Sequence, residues 1–490
     1  MNYISIYNNR PVGLKEIPEL GYDEFMNSNV DMLNGRADRH CVNYFGYETG
    51  AGVRLFCCIA DDTTHQINIS SSVVGKKSTL HSFTALNHNF ENFEREIHEN
   101  LGIKYLDHPW LKPFRKIEDY PFCKAESEEL HEVGVGPIHA GIIEPGHFRF
   151  ICNGEQIMHL EIQLGFQHRG IEQLFLQKNS LIERTTLAEN IAGDTVVGHT
   201  AAFVNLWESL CGFAPVHSLD YSRTLAMELE RVAVHTGDLA AICGDIAYQL
   251  GNSVYGRLRT PIINFFQEWG GNRLSKGLIR AGKINYPFTP ELAQRLAIVL
   301  DTFEPDFDEI SSKLFKLPSA LSRMEKTGVV SYDEVLEIGT VGMAARMSGL
   351  MRDIRTSHPF NLYGSSIIHE PVIKRHGDVY SRTQIRKEEV RQSLGYIRKI
   401  IENVPEFRKP EEVQFTPAAN MFAISLTEGW RGEICHCAIT DNSGNLALYK
   451  IKDPSHHNWM ALAMSVRNNE ISDFPVCNKS FNLSYSGHDL

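Results

Sequence analysis

The sequence predicts an α+β fold in two units: a small N-terminal α+β domain at residues 1–116 and, beyond a linker at 117–132, a mainly helical domain with a short β element at 133–490. Three observations predict it. A chain of 490 residues is longer than one hydrophobic core usually serves, so at least two domains are expected. A polar, acidic stretch, KIEDYPFCKAESEELHEV, interrupts the apolar patterning between the two units. Beyond it, after one hairpin-like segment, the apolar period turns helical.

In the first unit, residues 53–60 (VRLFCCIA) and 66–70 (QINIS) have strand-like apolar content, and residues 89–101 (NFENFEREIHENL) have helical spacing through Phe90, Phe93, Ile97 and Leu101. The second unit opens on HFRFICNGEQIMHLEIQLG, where Asn153-Gly154 supplies a favoured two-residue turn between two strand-like runs. Next, Leu225, Leu229, Val232, Leu239, Ile242, Ile246 and Leu250 form one apolar stripe at three- and four-residue steps. Val390, Leu394, Ile397, Ile401 and Val404 form another. There is no internal repeat.

Composition narrows the function. Hydrophobic residues make up 42% and charged residues 22% of the chain, as in ordinary folded proteins. The net charge of −12 argues against nucleic acid as the main partner, because phosphate binding needs a concentrated basic surface. The N-terminal stretch lacks a basic start and apolar run, and no 18-residue apolar run occurs, so a cytoplasmic location is expected, free or peripheral on a larger assembly. The ten cysteines are scattered and none is spaced Cys-x-x-Cys. Adjacent Cys57-Cys58 and the Cys435-His436-Cys437 triplet read as strand residues with apolar neighbours. His-Glu-x-x-His and the Gly-Lys-Ser/Thr ending of a phosphate loop are both missing.

Specific wording then takes over from pattern. GPIHAGIIEPGHFRF, GFQHRGIEQL, ELERVAVH, GTVGMAARMSGLMRDIR, GDVYSRTQIRKEEVRQSL and EGWRGEICH follow one another between residues 136 and 436. They resemble the large subunit shared by respiratory complex I (its 49 kDa subunit) and the group 4, energy-converting nickel-iron hydrogenases of the formate-hydrogenlyase and hydrogenase-4 type. EREIHENLGIKYLDHPWLKPFR, residues 94–115, resembles the small 30 kDa complex I subunit. Formate-hydrogenlyase-type large subunits carry the same fusion.

The resemblance also locates what is absent. The family's nickel-iron centre hangs on two Cys-x-x-Cys pairs, because soft thiolates hold the metal and the spacing offers two sulfurs from one loop. The corresponding positions here are Ala192 and Thr195 in ENIAGDT, and Ser455 and Asn458 in DPSHHNW. No metal is therefore expected on this chain. The tyrosine of the complex I quinone pocket corresponds to Gly193, whereas the pocket histidine has a counterpart in His139.

Seven residues are implied as a site. His139, in a Gly- and Pro-containing loop, either hydrogen-bonds a quinone carbonyl and relays protons or caps its own loop. Glu144 matches a proton-relay carboxylate, with Ile142 and Ile143 expected to bury it, or is an ordinary satisfied carboxylate. Arg431 either orients a ligand through its fork of donors or pairs with an acid such as Glu428. His168 and Arg169 are implied beside the iron-sulfur cluster of a neighbouring subunit, where a cation favours the reduced cluster. Asp194 and His199 complete the expected cavity wall. Glu228, Arg231 and His235 share one helical face and read as a salt-bridged structural face rather than a proton path. His456 and His457 make a poor metal site.

The expected function is a subunit of a membrane-associated complex I-like oxidoreductase. It would dock on a small iron-sulfur subunit and on antiporter-type membrane subunits, at the inner face of the cytoplasmic membrane. Electrons would pass from the partner's cluster to a quinone or small-molecule acceptor, coupled to ion translocation. The alternative is a scaffold that has lost redox chemistry. No proteolytic maturation is expected at the C-terminal NKSFNLSYSGHDL.

Overall fold

The computed structural model describes residues 2–139, 143–406 and 414–490. The fold is α+β, as expected. In the N-terminal part, four antiparallel strands run in the order Ile4–Tyr7, Gln66–Val74, Gly52–Asp61, Arg39–Thr49, and Glu19–Leu20 adds to Gln66–Val74 in parallel. The helices Tyr22–Leu33 and Glu91–Leu101 enclose an aromatic core of Phe25, Tyr44, Phe83, Phe90 and Phe93. The sheet's strands bury both faces: Phe45, Phe56 and Cys58 belong instead to the large core that runs through the C-terminal part. No helix or strand occurs between Leu106 and His131.

The three-stranded sheet of His131–Val135, His147–Asn153 and Gln156–Gln163 follows. Its hairpin turns on Gly154-Glu155, with Gly154 at φ +56° and Asn153 paired to Gln156, so the turn sits one residue later than Asn153-Gly154. Five long helices, Val196–Leu210, His217–Asp245, Gln249–Gly270, Pro290–Leu314 and Val379–Glu402, form the body. The stripe from Leu225 to Ile246 is buried as the spacing requires. Leu250 departs from it: the helix ends at Asp245, Ala247 takes φ +60°, and Leu250 lies on the next helix, 53% exposed.

A four-stranded sheet of Leu446–Lys452, Glu433–Thr440, Met421–Glu428 and Val12–Gly13 packs against Val196–Leu210. Cys57-Cys58 and Cys435/Cys437 lie in buried strands, as read from the sequence. No described helix is long and apolar enough to cross a membrane.

Candidate functional site

Three loops, helix Phe474–Phe481 with the C-terminal segment, and the end of helix His217–Asp245 meet at a cavity of about 600 Å³. The loop before strand His147–Asn153 brings His139 and Glu144, and the turn ahead of helix Val196–Leu210 brings Gly193 and Asp194. The turn between strands Met421–Glu428 and Glu433–Thr440 brings Arg431. Helix Phe474–Phe481 and the C-terminal segment bring Lys479, Asn482 and Tyr485. Thus four of the seven implied residues, far apart in sequence, share one wall.

Arg431 is buried and lies over the Trp430 ring, 4.0 Å from guanidinium carbon to centroid. Its Nη1 and Nη2 donate to the two carboxylate oxygens of Asp194 at 3.0 and 2.6 Å, Nη1 also reaches Thr195 Oγ1 at 3.1 Å, and Nε donates to Asn482 O. Burial alone would weaken the guanidinium's charge, but Asp194 and then Asp453 outweigh it and raise the pKa. The ion pair is therefore with Asp194 and not with Glu428, whose carboxylate instead accepts from Arg346 at 2.9 Å and from Ile354 N. Trp430 Nε1 donates to Asp194 O at 2.8 Å, which fixes the turn from the other side.

His139 caps its own loop, its Nε2 lying 3.0 Å from Gly146 O, while the half-buried ring still borders the cavity. Glu144 is half-buried and accepts from Tyr485 N at 3.3 Å. The apolar cover expected for it is not found at Ile143, which is 55% exposed, and Ile142 lies outside the described residues.

His199 is displaced from the expected wall. It is fully buried one layer behind, with Nε2 3.0 Å from Asp453 Oδ2 and Nδ1 3.1 Å from His436 Nε2; His436 Nδ1 continues to Tyr449 Oη at 2.7 Å. Burial would raise Asp453, but the hydrogen bond and charge of His199, then Arg431, bring it down to about 2. His168 and Arg169 are exposed and stand outside the cavity, against the C-terminal residues. Arg169 donates to Asn190 O, Ile191 O and Ser486 O, and His168 Nδ1 is 2.7 Å from Asp489 O. Partial burial lowers the Arg169 pKa, against the pull of Glu144 and Asp489.

Sequence reasoning passed over Asp245, Lys479, Tyr485 and Asp453. Asp453 lies in the same DPSHHNW segment that exposed the missing cysteines, so it was within reach. Asp245 closes the helix His217–Asp245 and its pKa is raised by burial, partly offset by Lys479. Tyr485 comes from a tail whose Asn, Ser and Gly content gives no chemical signal.

The four positions of the missing cysteines are buried and committed elsewhere. Ala192 offers a methyl group; Thr195 Oγ1 accepts from Arg431; Ser455 Oγ accepts from Ser484 N at 2.8 Å; and Asn458 exchanges two hydrogen bonds with the Val341 backbone, each 3.1 Å. Such hard, neutral, already bonded groups do not fit a thiolate-held nickel-iron centre. His456 and His457 lie inside helix Ser455–Ser465 against Phe93, held neutral chiefly by burial. Glu228, Arg231 and His235 are buried among the charges of Arg346, Arg355 and Glu389.

Comparison with known proteins shows what the chain is similar to. Residues 251–422 match the family described as the respiratory-chain NADH dehydrogenase 49 kDa subunit. Hydrogenase-4 component G of Escherichia coli is 26% identical over 77% of this chain and 65% of its own length. Formate hydrogenlyase subunit 5 of the same organism is 27% identical over 77% and 66%. An NADH-quinone oxidoreductase subunit of Phocaeicola vulgatus is 26% identical over 79% and 82%. The chain spans about two thirds of the length of the two Escherichia coli relatives. Across roughly three quarters of its residues, then, this chain resembles the large subunits of complex I and of the hydrogenase-4 and formate-hydrogenlyase type, without the cysteines that resemblance would call for.

Proposed function

We propose that the chain is the large subunit of a membrane-associated, complex I-like oxidoreductase, in which electrons arrive from an iron-sulfur cluster on a small partner subunit and leave on a quinone or another small acceptor. The convergence of His139, Glu144, Asp194 and Arg431 on one cavity carries this reading. The names of its relatives, NADH-quinone oxidoreductase and hydrogenase subunits, support it. Reducing a quinone to a quinol consumes two electrons and two protons. The partner's cluster supplies the electrons one at a time. Asp245, biased toward its protonated form by burial, and Glu144 stand at the wall to relay protons, and His139, whose Nε2 is taken by Gly146 O, can reach a carbonyl oxygen only through Nδ1–H. Redistribution of charge on these groups, beside the Asp194–Arg431 pair, is the step that would couple to ion movement in the membrane subunits.

A scaffold without redox chemistry is favoured by one observation: of the four positions, the three with polar side chains, Thr195, Ser455 and Asn458, are satisfied internally, and the fourth is Ala192. Two measurements separate the readings. In the complex purified from membranes through a tag on this chain, clusters are reduced and followed by electron paramagnetic resonance after a soluble quinone is added. Reoxidation within seconds, lost in His139→Ala, is expected. Clusters that stay reduced in the unmodified complex would overturn quinone reduction at this cavity. Glu144→Gln should abolish ion-coupled turnover while the complex still assembles; unchanged turnover would leave the scaffold reading standing.

A further inference from the structure

A second cavity, of about 240 Å³, opens where helix Glu91–Leu101, the connecting segment and helix Ser455–Ser465 come together. Trp459 separates it from the first cavity: the indole lies 4.9 Å from the ring of Tyr485 and 6.2 Å from that of Phe148, both on the wall of the first. The walls are aromatic, built from Trp110, Phe114, Tyr120, Trp459 and the imidazoles of His159 and His488. Lys112 covers one face of Trp110 at 4.1 Å and Arg115 lies over Phe114 at 4.7 Å, so the remaining ring faces are those offered for stacking.

The charges around the cavity leave one polarity unmatched. Arg95 is neutralised by Glu91 at 2.9 Å and donates to the carbonyls of Lys112 and Pro113. Glu161 is taken by Lys112 and by Cys123 N at 2.8 Å, so the Cys123, His159 and Glu161 cluster is already filled by an ammonium group. Arg467, at the exposed edge, has no hydrogen bond or ion pair from its guanidinium to any described residue, although its charge is felt at His159. Two nitrogens of lining residues, His159 Nε2 and Trp459 Nε1, are buried without partners among the described residues, turned away from the open space. Burial first, and Arg467 second, keep the His159 imidazole neutral, so it adds no second charge.

We infer that this cavity binds a small aromatic acid, its ring stacked among Trp110, Phe114 and Tyr120 and its anionic group held by Arg467. The inference does not depend on the redox reading of the first cavity. It identifies a site at the seam of the two parts of the chain, one indole ring away from the residues that border the first cavity.

The test uses the purified full-length chain, 2-naphthoate as the probe and 2-naphthalenemethanol as its uncharged counterpart, followed by tryptophan fluorescence and calorimetry. Saturable binding of the acid is expected, with the alcohol about tenfold weaker and Arg467→Glu about tenfold weaker for the acid alone, as for loss of one charge-assisted hydrogen bond. Trp110→Ala should weaken both ligands. Arg467 is at the surface, so an unchanged melting temperature confirms that its variant is folded. Equal affinity in Arg467→Glu, or the absence of saturable binding in the unmodified chain, overturns the inference. A change of affinity in Glu144→Gln without one in Arg467→Glu would place the acid in the first cavity and overturn it equally.

Discussion

A Cβ on Gly342 would stand 2.2 Å from Gly432 Cα and 2.5 Å from Arg431 O, and the residue sits at φ +63°. Two glycines crossing this closely set the position of the Arg431 backbone, and through it the fork that grips Asp194. Gly342→Ala is accordingly expected to cost about 1–3 kcal/mol or more from backbone strain and overpacking. Gly193 is the contrary case: it borders the same cavity, its φ is ordinary, and a Cβ there meets nothing within 4 Å. Gly193→Tyr should melt within about 2 °C of the unmodified chain, since open positions tolerate substitution within a few tenths of a kcal/mol. Differential scanning calorimetry of the two variants checks both statements, and a Gly193→Tyr protein that unfolds as early as Gly342→Ala would refute the open geometry. At the first side-chain atom, then, sterics do not account for the glycine where the relatives' tyrosine is expected.

Helix His217–Asp245 is held to helix Val379–Glu402 by charge as well as by apolar contact. Glu389 on the second helix lies 2.7 Å from His235 Nε2 on the first, pairs with Arg346, and approaches Arg355 at 3.3 Å and Arg231 at 3.6 Å. Burial would raise its pKa, but Arg346 and the groups that follow hold it well below the usual carboxylate range. Arg346 in turn reaches Glu428 and Asp353. Removing one member of such a network strands its partners in a dry interior, so Glu389→Gln should cost about 3–5 kcal/mol in denaturant unfolding; a cost under about 1 kcal/mol would mean the charges are solvated. This element also marks how far the sequence could be read. The shared face of Glu228, Arg231 and His235 was legible because i, i+3 and i+7 spacing fixes it locally. Its partners at 346, 353, 355 and 389 were not, since tertiary packing alone brings them there. Likewise the stripe from Leu225 was legible through Ile246 and overshot to Leu250, because nothing in the apolar period reports that Ala247 adopts a left-handed backbone. At the candidate site, His139, Glu144, Asp194 and Arg431 stood out through the wording around them. Asp245 and Tyr485 lack such wording, and His199, expected at the wall, is turned inward to Asp453 by its helix.

The two parts of the chain are one object. Strand Val12–Gly13 completes the C-terminal sheet by pairing with Met421–Glu428, His40 Nε2 lies 2.6 Å from Glu433, and the rings of Phe56 and Phe422 stack at 5.8 Å. Global stability therefore sums titrations from both. Burial pushes Glu94 and Glu428 up to about 7 and Glu230 up to about 8; for Glu230 the backbone N–H groups of Val197 and Gly198 and nearby Arg231 oppose the shift while Asp194 adds to it. A carboxyl whose folded pKa exceeds its unfolded value of 4.5 contributes stability that is complete below that value and is lost as pH rises through 7 to 8. Buried histidines such as His235, His436, His456 and His457 work on the other side. Burial lowers them from 6.5, so the stability they permit is present above 6.5 and lost as pH falls below it, when the unfolded chain takes up protons first. The stability maximum is expected near pH 6.5, with an alkaline limb set by the three glutamates. Each contributes a slope of at most about 1.4 kcal/mol per pH unit. Glu230→Gln removes one of them: whatever its effect on absolute stability, the fall in unfolding free energy between pH 6.5 and 8.5 should be shallower than in the unmodified chain. Parallel limbs for the two proteins would show that Glu230 is already ionised when folded, and that its bonds to the start of helix Val196–Leu210 outweigh its burial.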